Sequence, residues 1–287
     1  MRSSFPVFTV GAVVVGVLIV VGYLFTSKNP MAPPDPMVSE LELVPAESSD
    51  PVHISDNKGA IQREEPVSQP ESEPVPDTAE QEPPPAMPAY DLIMPPETLD
   101  SSDSVVRQAL QAISPTLAEW LIPEEQVRKW VLAVDKLAKG ELPKRYRPME
   151  YPMGQFRVKA FGELSVMDDA NYQRMNTLIA TVTAIDVDLL VAYYQAWKPL
   201  LENAYSQQGE PGTFEDRLLT AIDNLLAAEF PEDKGVLIRP HVFYVYQDEA
   251  LEKATDIEKL VWRMGKDNAR ALKAYALEFR RRIRAQE

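Results

Sequence analysis

The sequence predicts a mostly α-helical C-terminal domain with one short β element, carried behind a single-pass N-terminal membrane helix and a disordered linker. Three observations predict this. Phe5–Phe25 is free of charge, 16 prolines crowd between Pro30 and Pro96, and apolar residues recur at helical spacing from about Leu99 onward. They divide the 287 residues into an anchor (1–28), a Pro-rich acidic linker (29–98) and a globular domain (99–287).

The run "FPVFTVGAVVVGVLIVVGYLF" comes first. About 21 residues at ~1.5 Å each give ~31 Å, which matches a hydrocarbon core of ~30 Å. Tyr23 and Phe25 fall where an interfacial aromatic belt would lie. Pro6 is tolerated in the first helical turn. A cleaved signal peptide is the alternative, but its apolar region usually runs only ~7–15 residues before a small-x-small site. Arg2 and Lys28 nearly balance the two flanks, so the very short N-tail sets the expected orientation, N-terminus inside. The expected location is the inner (cytoplasmic) membrane, with the domain in the periplasm. The lipid bilayer is then a partner through this helix.

The linker carries 15 acidic and 2 basic residues between Asn29 and Thr98, a net of −13. With almost no aromatics it cannot bury enough apolar surface to offset the entropy of ordering. Proline and like-charge repulsion extend it. Its one apolar cluster, Tyr90–Met94, reads as a lead-in that packs on the domain.

The charge balance is uneven. The whole chain carries −15, while Leu99–Glu287 holds 29 acidic and 25 basic residues, a net of −4. Nucleic acid is excluded as a partner, since it calls for a net basic surface. The absence of cysteine removes disulfides, thiolate catalysis and cysteine metal sites, and a lipoprotein signal with them.

In the domain, Ser101–Asp103 are N-cap types before Val105, Val106, Ala109, Leu110 and Ile113. A second helix is expected to open at Pro123, bury Val127, Trp130, Val131 and Val134, and stop at Gly140. Tyr146–Phe161 reads as extended, with Phe156, Val158 and Ala160 alternating against Arg157 and Lys159. Helix resumes near Asp169 and breaks near Asp186. Leu190, Tyr193, Tyr194, Trp197, Leu200 and Leu201 then share a face, with a kink or break expected at Pro199. Thr213 and Asp216 form a capping box ahead of a helix to Glu229. Val236–Gln247 is β-prone but interrupted by Pro240, and its Val242–Gln247 half is the expected partner of Phe156–Phe161. Two closing helices, about 255–263 and 267–284, are separated by Gly265.

Three blocks carry a resemblance: "VRKWVLAVDKLAKG", "YYQAWKPLLENAYSQQGEPGTFEDRLLTAIDNLL" and the region from "IRPHVFYVYQDEALEK" to "EFRRRI". Together, over Asp100–Ile283, they resemble a proteobacterial family, domain of unknown function 3014. The resemblance implies the same order of parts: one membrane helix, a proline-rich linker, then the domain. It implies no activity.

Candidate chemistry is sparse. His241 is the sole histidine of the domain, so any His-based acid–base mechanism needs it; it shares a β-prone stretch with Phe243 and Val245, which reads as core. Asp216 and Asp223 lie on one helix face, about 10.5 Å apart along the axis. That exceeds the ~6.5–9.5 Å of inverting glycosidases. No residue is assigned as catalytic on these grounds. No Gly-rich phosphate loop and no Gly-x-Ser-x-Gly elbow occurs. Binding candidates are the basic set Arg145, Arg147, Arg157 and Lys159 and the aromatic pair Tyr244 and Tyr246. No metal site and no cofactor is expected. The expected function is a non-catalytic binding or scaffold domain in the bacterial envelope, facing an envelope protein or the cell wall. The alternative is an envelope hydrolase of glycan or peptide using His241, Asp216 or Asp223. Oligomeric state is not encoded in these patterns.

Overall fold

The computed structural model describes residues 90–162 and 164–286. The anchor and residues 29–89 of the linker, as read from the sequence, lie outside the described residues. What is described is mostly helical with one small antiparallel sheet.

A 3-10 turn at Leu99–Ser101 leads into α1 (Ser102–Ile113). The short α2 (Pro115–Glu119) starts at Ser114, whose Oγ accepts from the Leu117 N–H. Then comes α3 (Gln126–Ala138). It opens three residues after Pro123, because Glu124 and Glu125 take left-handed backbone at φ +72° and +54°. Asp103 of α1 accounts for this start. Its carboxylate accepts from the Glu125 and Gln126 N–H groups, both at 2.8 Å, so the cap comes from another helix.

The stretch after Asp169 forms α4 (Ala170–Gln173), α5 (Asn176–Thr183) and α6 (Val187–Ser206). α5 and α6 meet at 75°. The break falls where Asp186 accepts from the Leu189 N–H at 2.8 Å. α6 continues through Pro199, so of the expected kink or break the break does not occur. One N–H is lost there, but Trp197, Leu200 and Leu201 on either side are buried and hold the helix in place. No single helix among the described residues is long and apolar enough to cross a membrane.

α7 (Phe214–Ala227) carries the expected Thr213–Asp216 capping box. Glu202 of α6 takes two more of its free N–H groups, those of Phe214 (2.7 Å) and Glu215 (3.2 Å). The chain ends with α8 (Glu249–Lys253), α9 (Asp256–Met264) and α10 (Lys266–Arg284). The core lies where α3 packs on α7 and α6 packs on α3, α7 and α10. Trp130, Tyr193, Trp197, Phe214 and Phe279 fill it. The lead-in packs on this body: Tyr90 Oη donates to Asp186 Oδ1 at 2.9 Å, and Trp197 Nε1 donates to the Ile93 carbonyl at 3.3 Å.

The sheet has the order β1 (Val158–Phe161), β2 (Leu164–Met167), β3 (Leu237–Ile238) and β4 (Val245–Tyr246), antiparallel throughout. β1 does not pair with Val242–Gln247 as expected. Gly162, at φ +64°, folds the chain straight back, so β1 pairs with β2 instead. Pro240 has no N–H to give to a ladder, and residues 239–244 form the connection between β3 and β4.

Candidate binding face

The register decides which residues share a face. Ala160 pairs with Ser165, Ser165 with Leu237, and Leu237 with Tyr246. Ser165, Leu237 and Tyr246 are all buried, so this row faces the helices. The neighbouring row points the other way, since side chains alternate along a strand. It holds the pair Phe161–Leu164 and the pair Ile238–Val245, which the Ser165–Leu237 register sets side by side. The same register places the Gly162 turn and the 239–244 connection at one end of the sheet. That end exposes Phe161 (63%), Leu164 (42%), Val242 (62%) and Phe243 (73%). Scattered apolar residues need no explanation, but a contiguous exposed set marks an interaction surface.

Lys159 sits on the same outward row of β1, two residues behind Phe161, with Nζ 3.8 Å from Asp168 Oδ1. Arg157 precedes it and is exposed. Its backbone is clamped by Asn171, which accepts from the Arg157 N–H (2.9 Å) and donates to the Arg157 carbonyl (2.6 Å). Arg239 stands at the root of the second turn, with Nε donating to the Val242 carbonyl at 3.2 Å and the guanidinium 5.7 Å from the Tyr244 ring centre. The face is therefore apolar at its tip and basic behind it.

The expected sites distribute differently. His241 is exposed in the same connection, not core. Tyr244 is half-buried under Arg239. Tyr246 is buried and meets Trp262 edge-on at 5.7 Å, and burial pushes its phenol above the usual range. The two tyrosines do not form one platform. Arg145 is exposed and Arg147 half-buried, both in the connection from α3 to β1 rather than on the strand that holds Lys159. Asp216 serves its capping box, accepting from Thr213 Oγ at 2.7 Å. Asp223 pairs with Arg280 of α10 at 2.9 Å.

Two buried carboxylates went unread in the sequence. Glu215 is buried at the start of α7, where it accepts from Tyr194 Oη at 2.7 Å and pairs with Lys198. Asp135 of α3 is buried beside Lys139 (2.8 Å) and Arg217 (3.4 Å). Both join helices: Glu215 links α7 to α6, and Asp135 links α3 to α7. Charged residues on otherwise apolar helix faces, at Asp135 and Glu215, were the available signal. Among the described residues, no group of three or more His, Asp or Glu side chains is placed to hold a metal ion. A groove of about 470 Å³ between α7 and α10 has an apolar floor including Leu226, Phe230 and Ala269. Its Lys273 ammonium is engaged by the Leu226 and Ala228 carbonyls.

A family model described as a protein of unknown function (DUF3014) matches residues 126–280. This stretch runs from the start of α3 nearly to the end of α10 and includes the whole sheet. No curated protein and no solved structure matches the chain.

Proposed function

The chain belongs to this DUF3014 family of unknown function, and from its own surface we propose that it is a non-catalytic binding or scaffold protein, tethered to a bacterial envelope membrane. The observation that carries the reading is the sheet end, where Phe161, Leu164, Val242 and Phe243 stand exposed together. Leaving large apolar groups in water is unfavourable, by roughly 1.5–3 kcal/mol for each side chain that burial would remove. A partner that covers the tip recovers this. The charge-free Phe5–Phe25 run, long enough for a hydrocarbon core, supports the tether. The carboxylates offered for hydrolysis are engaged in a helix cap and an ion pair, which favours binding over catalysis.

The test is photo-crosslinking in intact cells. A benzophenone amino acid replaces Phe243, and in a control chain it replaces Gln207, which is exposed beyond the end of α6. Position 243 is expected to give a specific adduct that position 207 does not. Equal or absent adducts at the two positions overturn the binding reading.

A further inference from the structure

We infer that the exposed sheet end docks on an anionic lipid surface. The inference rests on the binding reading above and names the partner of that face.

The apolar tip is built from two turns that the register holds level with each other. Phe161 and Leu164 flank one turn; Val242 and Phe243 belong to the other. Cations follow at a defined depth. Lys159 lies two residues behind Phe161, about 6.6 Å along the strand, and Arg157 about as far again. Arg239 stands at the root of the second turn. An apolar face that enters a bilayer interface sinks ~5–10 Å, to the boundary of acyl chains and headgroups. Lys159 and Arg239 then fall at the level of the lipid phosphates. Basic side chains at that level are attracted by anionic lipid.

The acidic groups nearby do not cancel this. Asp168 lies beside Lys159 at 3.8 Å. In the sequence, Glu163 follows Gly162 and adds one carboxylate. Arg157, Lys159 and Arg239 outnumber the two.

The shape of the surface favours lipid over protein. Lys159, Ala160 and Phe161 of β1 are exposed on both faces of the strand, so among the described residues no element covers this edge to form a socket. A protein partner needs a complementary outline. A fluid bilayer accepts an apolar wedge of any outline.

The test uses the full chain, which has no cysteine of its own. Val242→Cys therefore takes a single environment-sensitive fluorophore, and Gln207→Cys gives the control. Each labelled chain is reconstituted with phosphatidylcholine vesicles, with or without phosphatidylglycerol, containing a spin-labelled quencher lipid. With phosphatidylglycerol, the label at 242 is expected to shift its emission to the blue and to lose at least half its intensity to the quencher. The label at 207 should do neither. Adding Lys159→Glu and Arg239→Glu should return the signal at 242 to that of neutral vesicles, with an unchanged melting curve as the folding control. Quenching that is absent, or equal with and without phosphatidylglycerol, overturns the inference. If position 243 crosslinks a protein in cells while the 242 label stays aqueous on anionic vesicles, the binding reading stands and the lipid assignment falls.

Discussion

Tyr194 of α6 donates its hydroxyl to Glu215 of α7 at 2.7 Å, and both side chains are buried. The contact joins two core helices through a carboxylate that Lys198 also engages. A buried carboxylate is tolerated only when it is paired and hydrogen-bonded.

Removing one member should therefore cost more than the bond itself. Glu215→Ala leaves a buried phenol without this acceptor, and a loss of ~1–3 kcal/mol is expected in urea unfolding. Glu215→Gln keeps an acceptor for Tyr194 and should lose less. If the two variants unfold at the same urea concentration as the parent, the contact does not hold the helices.

Trp197 is fully buried, and its indole N–H reaches the Ile93 carbonyl. Trp197→Ala should destabilise the domain by ~3–5 kcal/mol. Trp197→Phe keeps most of the volume but strips the donor from the lead-in. Proteolysis near Tyr90–Met94 should then speed up while the thermal midpoint falls only modestly. Unchanged cleavage would show that the lead-in is held by other contacts.

Acid should release the same lead-in. The Leu189 N–H, then the Tyr90 hydroxyl, hold the Asp186 carboxyl below its usual range. The folded value is depressed, so this contribution is complete above the unfolded value of ~3.9 and is lost as pH falls through the folded one. Asp186→Asn keeps the N-cap but cannot titrate. The variant should show a shallower loss of stability at low pH than the parent, measured by urea midpoints across the acid range. Identical slopes would remove Asp186 from the acid response.

Gly265 joins α9 to α10 at φ +83°. A β-carbon there would lie 2.7 Å from Cγ of Tyr172, closer than real contacts allow. Gly265→Ala therefore combines a strained backbone with a clash, and a loss of at least ~1–3 kcal/mol is expected. Relief by Tyr172→Ala in the double variant would identify the clash; an additive loss would locate the cost in the backbone alone.

Helical periods made much of the fold legible. The apolar stripe of α7, its Thr213–Asp216 box and the core position of Trp197 follow from spacing and capping chemistry, which act over a few residues. The start of α3 was not legible, because its cap is Asp103, 22 residues upstream of Glu125 and brought there by packing. The sheet was misread for a related reason. Phe161 and Leu164 are local partners across a glycine turn, while Ser165–Leu237 is a long-range pairing that no local pattern specifies. That pairing sets the two turns side by side and turns Tyr246 inward and Phe161 outward. Since a strand's side chains alternate, one residue of register exchanges core for surface. The sequence by itself determined the long helices, the Thr213–Asp216 cap and the acidic, proline-rich composition ahead of the domain. Only the tertiary structure decided which aromatics of the β-prone segments are core and which are displayed, because register is fixed by contacts between segments distant along the chain.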